Sequence, residues 1–243
     1  MPHFLIKKEN IKDGFIELAD DENFFHLARV LRIKAGEIIK FINENKTIYE
    51  TKAVQITKNS LKAEILKSYQ SKRYLKSNIV LIQSILMNDA QNLLIANAVQ
   101  TGVKEIYPVI SDNVSAPLKT LKNKKEKWEK IALENFKQCE RADLVKINEI
   151  SSLNEIFYGF KKENILIFAE KYENHTLNTA LKDIDSNSKI AVVIGPEGGF
   201  SEKEFDYFKK ENFKLITLGS MIYKAPNAVV SAISNVVSRI END

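Results

Sequence analysis

The chain has 243 residues, of which 44% are hydrophobic and 28% charged, and its formal net charge is +4. These values are typical of a globular protein with one large domain or two of ordinary size, and they exclude a largely disordered chain. This net positive charge is small, so it is compatible with a nucleic-acid partner but does not predict one. The sequence has no apolar run long enough to cross a bilayer, and its start has no apolar segment of a signal peptide. We therefore expect a cytoplasmic protein without membrane contact.

Cysteine and histidine are too few and too widely spaced to predict a metal site. Cys139 is the single cysteine of the sequence, which excludes an internal disulfide. The three histidines, His3, His26 and His175, lie far apart in the sequence and lack the spacing of zinc ligands. We expect no metal cofactor.

The first 70 residues contain short segments of partly alternating polarity, separated by polar and turn-forming residues. The predicted strands cover 14–18, 37–43, 47–57 and 61–69. This spacing predicts a small β-barrel. The polar stretch at 70–78 is typical of a linker.

A short amphipathic helix is predicted at 24–33, between the first strands. Its apolar side chains recur at helical spacing: Phe24, Leu27, Val30 and Leu31. The same segment carries Arg29 and Arg32. On this pattern alone, the two arginines belong to a solvated helix face.

From residue 79 onward, strands and helices alternate. The predicted strands cover 79–85, 103–110, 165–170, 190–194 and 213–219, and the predicted helices cover 89–102, 120–140, 176–183, 201–211 and 228–240. Such alternation predicts a parallel sheet with helices on both faces.

The most unusual loop of the sequence is 195-GPEGG-199, which follows the apolar strand at 190–194. Ser201 and Glu204 then have the spacing of a capping box, so a helix is expected to begin directly after the loop. In an open α/β sheet, a loop beyond the carboxyl end of a strand is where ligands bind. The alternative is a plain tight turn that requires a positive φ at Gly198 or Gly199.

A second unusual loop, 218-LGSMIYKAPNA-228, follows the next predicted strand. Neither loop matches a dinucleotide-binding fingerprint or a P-loop. Loops at neighbouring strand ends can face one pocket, and we therefore expect the two to share a nucleotide-like ligand of another kind.

The order of these motifs resembles that of the RsmE-type 16S ribosomal RNA uridine N3-methyltransferases of the SPOUT class. The most specific element is GPEGGFSEKE at 195–204, followed by Leu218-Gly219, and it is supported by HLARVLR at 26–32 and by Trp128 with QCER at 138–141. The resemblance covers essentially the whole chain. It implies a small PUA-like β-barrel at 1–72 and a SPOUT methyltransferase domain at 73–243, whose parallel sheet has helices on both faces and a C-terminal trefoil knot. It also implies S-adenosylmethionine as cofactor, a homodimer, and 16S rRNA or the small ribosomal subunit as partner.

The resemblance further implies which residues form the sites. The expected cofactor-binding residues are Phe168, Ile194, Gly195, Pro196, Glu197, Gly198, Gly199, Leu218, Gly219, Met221, Ile222, Tyr223, Asn227 and Ala228. The expected RNA contacts are His26, Arg29, Arg32, Gln138 and Arg141. Lys224 and Tyr223 are the expected catalytic residues, with Lys224 orienting the target uracil or stabilising charge on its oxygen as N3 loses its proton.

The chain departs from the family pattern in its second loop. The family reads LGxRILRxETA where this chain reads LGSMIYKAPNA, so both arginines and the glutamate are missing. Lys224 keeps one positive charge but lacks the planar fork of arginine. The family's Gln-Lys pair is Ala96-Asn97 here, and its Arg-Ser pair is Asn113-Val114. Three functions therefore stay open: an active methyltransferase on small-subunit rRNA, a SPOUT methyltransferase with another RNA target, and a non-catalytic RNA-binding or ribosome-assembly protein that keeps the cofactor pocket.

Overall fold

The computed structural model describes residues 3–116, 121, 124–171 and 174–241. Its contacts divide the chain into two units, one formed by 1–74 and 136–143 and the other by 75–135 and 144–243. The domain boundary expected between residues 72 and 73 stays a prediction. The contacts add that the segment 136–143 packs with the first unit.

The first unit is built on a six-stranded sheet. Its strands are β1 (His3–Ile6), β2 (Ile11–Lys12), β3 (Phe15–Ala19), β4 (Ile38–Asn43), β5 (Thr47–Ile56) and β6 (Ser60–Gln70). Their order is β1-β4-β5-β6-β3-β2, with β1 parallel to β4 and the other pairs antiparallel. Alternate side chains of five strands, β1 and β3–β6, surround one apolar core, which includes Phe4, Ile16 and Phe41. This arrangement agrees with the expected barrel-like domain.

The predicted helix at 24–33 is confirmed in its first part and wrong in its last. It begins as α1 (Glu22–Phe25), capped by the Asp21 carboxylate, and continues as a π-helical turn over His26–Val30. Phe24 and Leu27 are buried as the pattern predicts. Val30 and Leu31, in contrast, are 67% and 43% exposed.

The second unit is built on a seven-stranded sheet. Its strands are β7 (Ile79–Ser84), β8 (Glu105–Ile110), β9 (Lys146–Ile147), β10 (Ser151–Ser152), β11 (Ile165–Phe168), β12 (Ile190–Ile194) and β13 (Lys214–Ile216). Their order is β10-β8-β7-β12-β11-β13, with β9 beside β8, and all neighbours run parallel. Every residue of β7, β11 and β12 is buried, as is typical of strands covered on both faces.

Helices connect most of these strands. They are α2 (Asn88–Gln100), α3 (Lys124–Gln138), α4 (Leu153–Phe157), α5 (Leu177–Leu181), α6 (Glu202–Lys210) and α7 (Ala225–Ile240). On one face, Phe205 and Phe208 of α6 pack with Phe200 and Phe213 among the apolar side chains of the sheet. α7 packs against α2 and β12. The predicted alternation of strands and helices is thereby confirmed.

Several details differ from the sequence prediction. α7 begins at Ala225 rather than at residue 228. Pro226 is compatible with this earlier start, because the first residues of a helix have no helical partner for an N–H group. α4, β9 and β10 were not predicted. Residues 120, 122 and 123 of the predicted helix at 120–140 lie outside the described residues, and the trefoil knot stays a prediction. Within the described ranges, every helix is too short or too polar to span a bilayer.

Candidate functional site

The two unusual loops leave the same edge of the parallel sheet. They follow β12 and β13, and β11 lies between these two strands. In register, Phe168 at the end of β11 pairs with Ile194 of β12 and with Ile216 of β13. Because parallel strands end at one edge, the loops flank the carboxyl end of β11. This is the position at which open α/β sheets bind ligands.

The glycine loop, defined as residues 195–199, contains a tight turn. The Gly199 N–H donates to the Pro196 carbonyl oxygen over 2.9 Å, and Gly199 has a φ of 69°. A side chain at this position would be strained whatever the space around it. Gly198 lies outside the left-handed region, and a Cβ there would meet the Asn113 Cβ at 3.4 Å. Of the two glycines considered for a positive φ, Gly199 is therefore the one that has it.

Neighbouring segments hold the glycine loop by hydrogen bonds. The Glu197 carboxylate accepts from the Met87 N–H over 2.9 Å, at the start of α2. The Asn113 side-chain amide donates to the Gly199 carbonyl oxygen over 3.1 Å. The loop is thus tied to the connections that follow β7 and β8. Met87 was not predicted as part of the site, because its role depends on a tertiary contact that no motif indicates. Asn113 was noted only as a departure from the family's Arg-Ser pair, and its contact with the glycine loop was not predicted.

The predicted capping box at the start of α6 is present and has an additional partner. The Ser201 Oγ accepts from the Glu204 N–H over 3.1 Å, and the Glu204 carboxylate accepts from the Ser201 N–H over 2.8 Å. Glu204 also accepts from the Asp112 N–H, and the Ser201 hydroxyl donates to the Asp112 carboxylate over 2.6 Å. The helix that follows the glycine loop is therefore fixed to the connection after β8.

The second loop, predicted at 218–228, is shorter in the structure because α7 begins at Ala225. We call residues 217–224 the exposed loop, since residues 219–224 are exposed to solvent. Met221 and Ile222 are 67% and 78% exposed, and Tyr223 is 39% exposed. Gly219 has a φ of 98° and exchanges hydrogen bonds with the Thr217 hydroxyl. In contrast to the glycine loop, the exposed loop leaves large apolar side chains uncovered.

Both ends of the exposed loop are anchored. In β13, the buried Lys214 ammonium donates to the carbonyl oxygens of Glu163 and Ala180, each over 2.7 Å. Burial lowers the pKa of Lys214. At the other end, the Lys224 carbonyl oxygen accepts from the Asn227 N–H as α7 begins, and the Lys224 side chain is exposed. Lys224 therefore lies on a fixed backbone with its ammonium free to reach a ligand.

A small cavity lies beside the connection between β7 and α2. It has a volume of about 20 Å³, and Met87, Gln91 and Trp128 are among its lining residues. The Gln91 Oε1 accepts from the Leu86 N–H, whereas its buried Nε2 has no hydrogen-bond partner among the described residues. A cavity of this size holds one water molecule and is too small for a nucleobase. It does not contain the predicted cofactor residues.

The predicted RNA-binding residues near the amino terminus lie on the π-helical turn and directly after it. Arg29 and Arg32 are exposed. The Arg29 guanidinium lies 4.7 Å above the ring of Phe25, and Arg32 has a left-handed φ of 54°. The half-buried His26 ring contacts Phe4 edge-on. Two cations are thus held at the surface of the first unit.

The second group of predicted RNA-binding residues is only partly exposed. Gln138 ends α3 and is exposed. Arg141 is 5% exposed, and its Nε and Nη2 donate to the Asp143 carboxylate over 3.2 and 2.9 Å. The chain reverses at Glu140, whose φ is 54°, and this turn directs the arginine inward. The expectation that Arg141 presents its charge to RNA is therefore corrected: Asp143 neutralises that charge inside the unit.

Among the described ranges, no three metal-ligating side chains come together in a way that could hold an ion. The candidate site instead consists of two glycine-bearing loops with accessible main-chain groups, next to apolar side chains at the strand ends. Such an arrangement suits a flat organic ligand that hydrogen-bonds to main-chain groups.

Two family models match this chain. Residues 73–237 match the RNA methyltransferase domain, and residues 19–66 match the RNA methyltransferase PUA domain. The two matches correspond to the α/β unit and to part of the barrel-like unit.

Similar proteins support the same assignment. The ribosomal RNA small subunit methyltransferase E of Rickettsia conorii is 31% identical over 91% of this chain and 88% of its own. The enzyme of the same name from Mesomycoplasma hyopneumoniae is 30% identical over 86% of this chain and 92% of its own. The crystal structure of the Neisseria gonorrhoeae enzyme of that name, bound to S-adenosyl methionine, has a TM-score of 0.82 and 27% identity, covering 98% of each chain. The chain therefore belongs to the ribosomal RNA small subunit methyltransferase E (RsmE) family, whose fold is that of the SPOUT RNA methyltransferases.

Proposed function

We propose that this protein is a cytoplasmic, S-adenosylmethionine-dependent methyltransferase that methylates N3 of a uridine in the 16S rRNA of the small ribosomal subunit. The observation that carries the proposal is the pair of glycine-bearing loops on either side of β11. Its context is a chain whose relative from Neisseria gonorrhoeae is described as bound to S-adenosyl methionine.

The residues at this edge fit such a cofactor. Phe168 and Ile194 supply an apolar floor at the strand ends, and Gly198 and Gly219 leave backbone accessible on either side of it. Backbone groups can then read the polar edge of an adenine. The proposed cofactor-binding residues are Phe168, Ile194, Gly195, Pro196, Glu197, Gly198, Gly199, Leu218, Gly219, Met221, Ile222, Tyr223, Asn227 and Ala228.

When bound, S-adenosylmethionine supplies an electrophilic methyl group. The nucleophile is N3 of the uracil, which would release its proton to water. Its new bond to the methyl carbon would form as the bond between that carbon and the sulfonium sulfur breaks. The exposed Lys224 ammonium, held where α7 begins, would stabilise the negative charge that develops on the uracil oxygens. Tyr223 precedes it and would help to orient the base.

The first unit would hold the RNA backbone. Arg29 and Arg32 present two charges that would neutralise phosphates, with His26 beside them and Gln138 as a further polar contact. Such contacts give affinity that falls with rising salt. They position the substrate without specifying its sequence.

A homodimer would cover the apolar side chains that the second unit exposes. Besides the exposed loop, Leu93 of α2 and Val230 of α7 are 53% and 37% exposed, and these two helices pack together. A second copy of the chain is the proposed occupant. Light scattering at micromolar concentration should give the mass of two chains, and a mass near 27.8 kDa would contradict the dimer.

One observation favours a second candidate function. Met221, which is 67% exposed, occupies a position at which the family pattern has an arginine. An apolar side chain there cannot form the charge-assisted contacts of a guanidinium. This difference suits a SPOUT methyltransferase with another RNA target, or a ribosome-assembly protein that binds the cofactor without turnover.

One experiment separates these functions. The purified protein is incubated with S-adenosylmethionine labelled in its methyl group and with 16S rRNA or small subunits from cells that lack the gene, and the RNA is digested to nucleosides. We expect the label in 3-methyluridine. Label in another nucleoside would indicate a different target, and calorimetric cofactor binding without transfer would indicate the non-catalytic function. Absence of cofactor binding would refute all three.

A further inference from the structure

The π-helical turn of the first unit exposes two consecutive apolar side chains. Val30 is 67% exposed and Leu31 is 43% exposed. They lie between Arg29 and Arg32, which are also exposed. The pair belongs to the HLARVLR motif at 26–32, and the proposed cofactor site leaves its exposure unexplained.

The exposure follows from a change of helical register. In a regular α-helix, Val30 and Leu31 would lie three and four residues after the buried Leu27 and would share its face. Here the Leu31 N–H donates to the His26 carbonyl oxygen, five residues back, which turns the two side chains away from the core. The Ile33 N–H then donates to the Leu27 carbonyl oxygen, and Ile33 packs against the core in their place.

The turn departs from what the sequence predicts, because two residues that fit the apolar spacing of a helix are exposed to solvent. π-Turns inside helices occur frequently at functional sites. Positions at which sequence rules fail are expected to be functional or strained. Arg32 adds a second irregularity, because a left-handed φ of 54° is uncommon for a residue other than glycine, asparagine or aspartate.

The two side chains are presented from a fixed support. The Asp21 carboxylate caps α1 by accepting from the Phe24 N–H over 2.7 Å, and the Asn23 side-chain amide donates to the Leu5 carbonyl oxygen over 2.6 Å. Phe24 and Leu27 are buried in the core of the first unit. Contacts made by Val30 and Leu31 would therefore require little ordering on binding.

The surroundings favour a polyanionic partner. The sequence has no acidic residue from 23 to 36, whereas Arg29, Arg32 and Lys34 are exposed there. In the part of the chain that the structure describes, neither guanidinium is paired with a carboxylate. An apolar pair between two arginines is complementary to a segment of nucleic acid. The apolar side chains can contact the face of a base, and the two arginines can bind the phosphates on either side of it.

We propose that Val30 and Leu31 form an apolar wedge that packs against an unstacked base of the substrate RNA, while Arg29 and Arg32 hold the phosphates on either side. The substrate segment is single-stranded or looped, because the bases of an RNA duplex are stacked and present no free face to side chains. Apolar side chains are known to pack against bases that have left the regular stack. The proposal rests on the proposed function, since it states how that enzyme engages its RNA.

The test compares four variants of the full chain for binding to 16S rRNA across a series of salt concentrations. We expect Val30→Ser/Leu31→Ser to weaken binding by about tenfold without changing the slope of log Kd against log salt, because no charge is removed. Arg29→Ala and Arg32→Ala should each flatten that slope by about one charge. Leu66→Ser is the matched control, since Leu66 is 52% exposed on β6 and lies outside the arginine-flanked segment, and it should bind as the wild type does.

Single-stranded and duplex RNA oligonucleotides of the same sequence then identify what the wedge contacts. The tenfold loss should occur with the single strand and be absent with the duplex. Wild-type binding by the double variant, an equal loss with both oligonucleotides, or an equal loss in the Leu66→Ser control would overturn the proposal. A mass of two chains for the wild type and one chain for the double variant would assign the wedge to a second copy, which would also overturn it.

Two further readouts separate the wedge from the proposed function. Thermal unfolding and calorimetric S-adenosylmethionine binding should be unchanged in the double variant, because both replaced side chains lie at the surface of the first unit. If the double variant loses RNA binding as expected but the wild type transfers no methyl group to 16S rRNA, the proposed function fails and the wedge stands. If the wild type methylates 16S rRNA and the double variant binds it equally well, the wedge alone fails.

Discussion

The two loops at the carboxyl edge of the α/β sheet differ in how they are held. Hydrogen bonds from the connections after β7 and β8 fix the glycine loop, through Glu197 and the Gly199 carbonyl oxygen. Among the described residues, contacts anchor the exposed loop at its two ends, and its side chains from Met221 to Tyr223 face solvent. We infer that the glycine loop is a preformed platform for the cofactor, whereas the exposed loop is completed by a ligand or a second chain.

The loop that is held more firmly also keeps the family sequence better. The glycine loop retains the family motif in full, and the departures from the family pattern are concentrated in the exposed loop. A preformed backbone platform tolerates little change, because Gly199 has a positive φ and a Cβ at Gly195 would lie 3.2 Å from the Phe200 ring. The exposed loop can change its side chains without a cost to the fold, since they are not packed in it. Four variants test this contrast.

The largest effect is expected from Lys224→Ala in the exposed loop. Removing one donor that stabilises developing charge lowers a reaction rate by about 10²–10³-fold, and cofactor affinity should be nearly unchanged. The measurement is single-turnover methylation of 16S rRNA. Lys210→Ala, which replaces an exposed lysine of α6, is the control. A wild-type rate for Lys224→Ala would place the chemistry on other groups.

The next effect concerns the proposed dimer. Met221→Ser/Ile222→Ser removes two large side chains whose burial would contribute at least about 1.5 kcal/mol each, so the dimer should dissociate at a concentration at least about 100-fold higher. The free energy of unfolding of the monomer should change by no more than about 0.5 kcal/mol, since both side chains are exposed. Light scattering over a dilution series measures the first quantity. An unchanged dissociation constant would show that this surface faces something else.

A smaller effect is expected from Gly199→Ala in the glycine loop. An alanine in the left-handed region costs about 1–2 kcal/mol, and the loop relieves this strain by leaving the conformation that the cofactor requires. The calorimetric Kd for S-adenosylmethionine should therefore rise about 5- to 30-fold. Gly36→Ala is the control, because Gly36 also has a positive φ and an open Cβ position but lies in the first unit. Equal cofactor affinities in both variants would contradict the preformed platform.

The smallest effect is expected from the support of the glycine loop. Glu197→Ala removes the acceptor for the Met87 N–H, and the loss of one such hydrogen bond costs about 0.5–1.5 kcal/mol, or roughly 2- to 12-fold in cofactor affinity. Glu197→Gln keeps an acceptor oxygen and should bind nearly as the wild type does. If the two variants have the same affinity, this hydrogen bond does not support the site.

The parts of the molecule that follow from local pattern were predictable from sequence. β11 and β12 are short apolar runs and β7 begins with one, which is typical of parallel strands buried on both faces. The capping box at Ser201 fixed the start of α6 to within one residue. The position of both loops at one sheet edge also follows, because parallel strands place their carboxyl ends together.

The parts that depend on tertiary contacts could not be predicted. The helical pattern continues through Leu31, and only the packing of Ile33 against the core shows why the helix changes register before it. β10 consists of Ser151 and Ser152, which form a strand because β8 lies beside them. The inward direction of Arg141 depends on a backbone reversal at Glu140, a residue type that does not favour the left-handed region.

Amide hydrogen exchange with and without S-adenosylmethionine tests the contrast between the loops most directly. Exchange reports how strongly each backbone segment is protected. We predict that the amide of Gly199, which is already hydrogen-bonded in the glycine loop, exchanges slowly in both states. The amides of residues 220–223 in the exposed loop should exchange rapidly in the free protein and slow markedly when the cofactor is added. Equal protection of both loops before addition, or no change at 220–223 after it, would contradict the assignment of this sheet edge as a cofactor site with one preformed and one ligand-completed side.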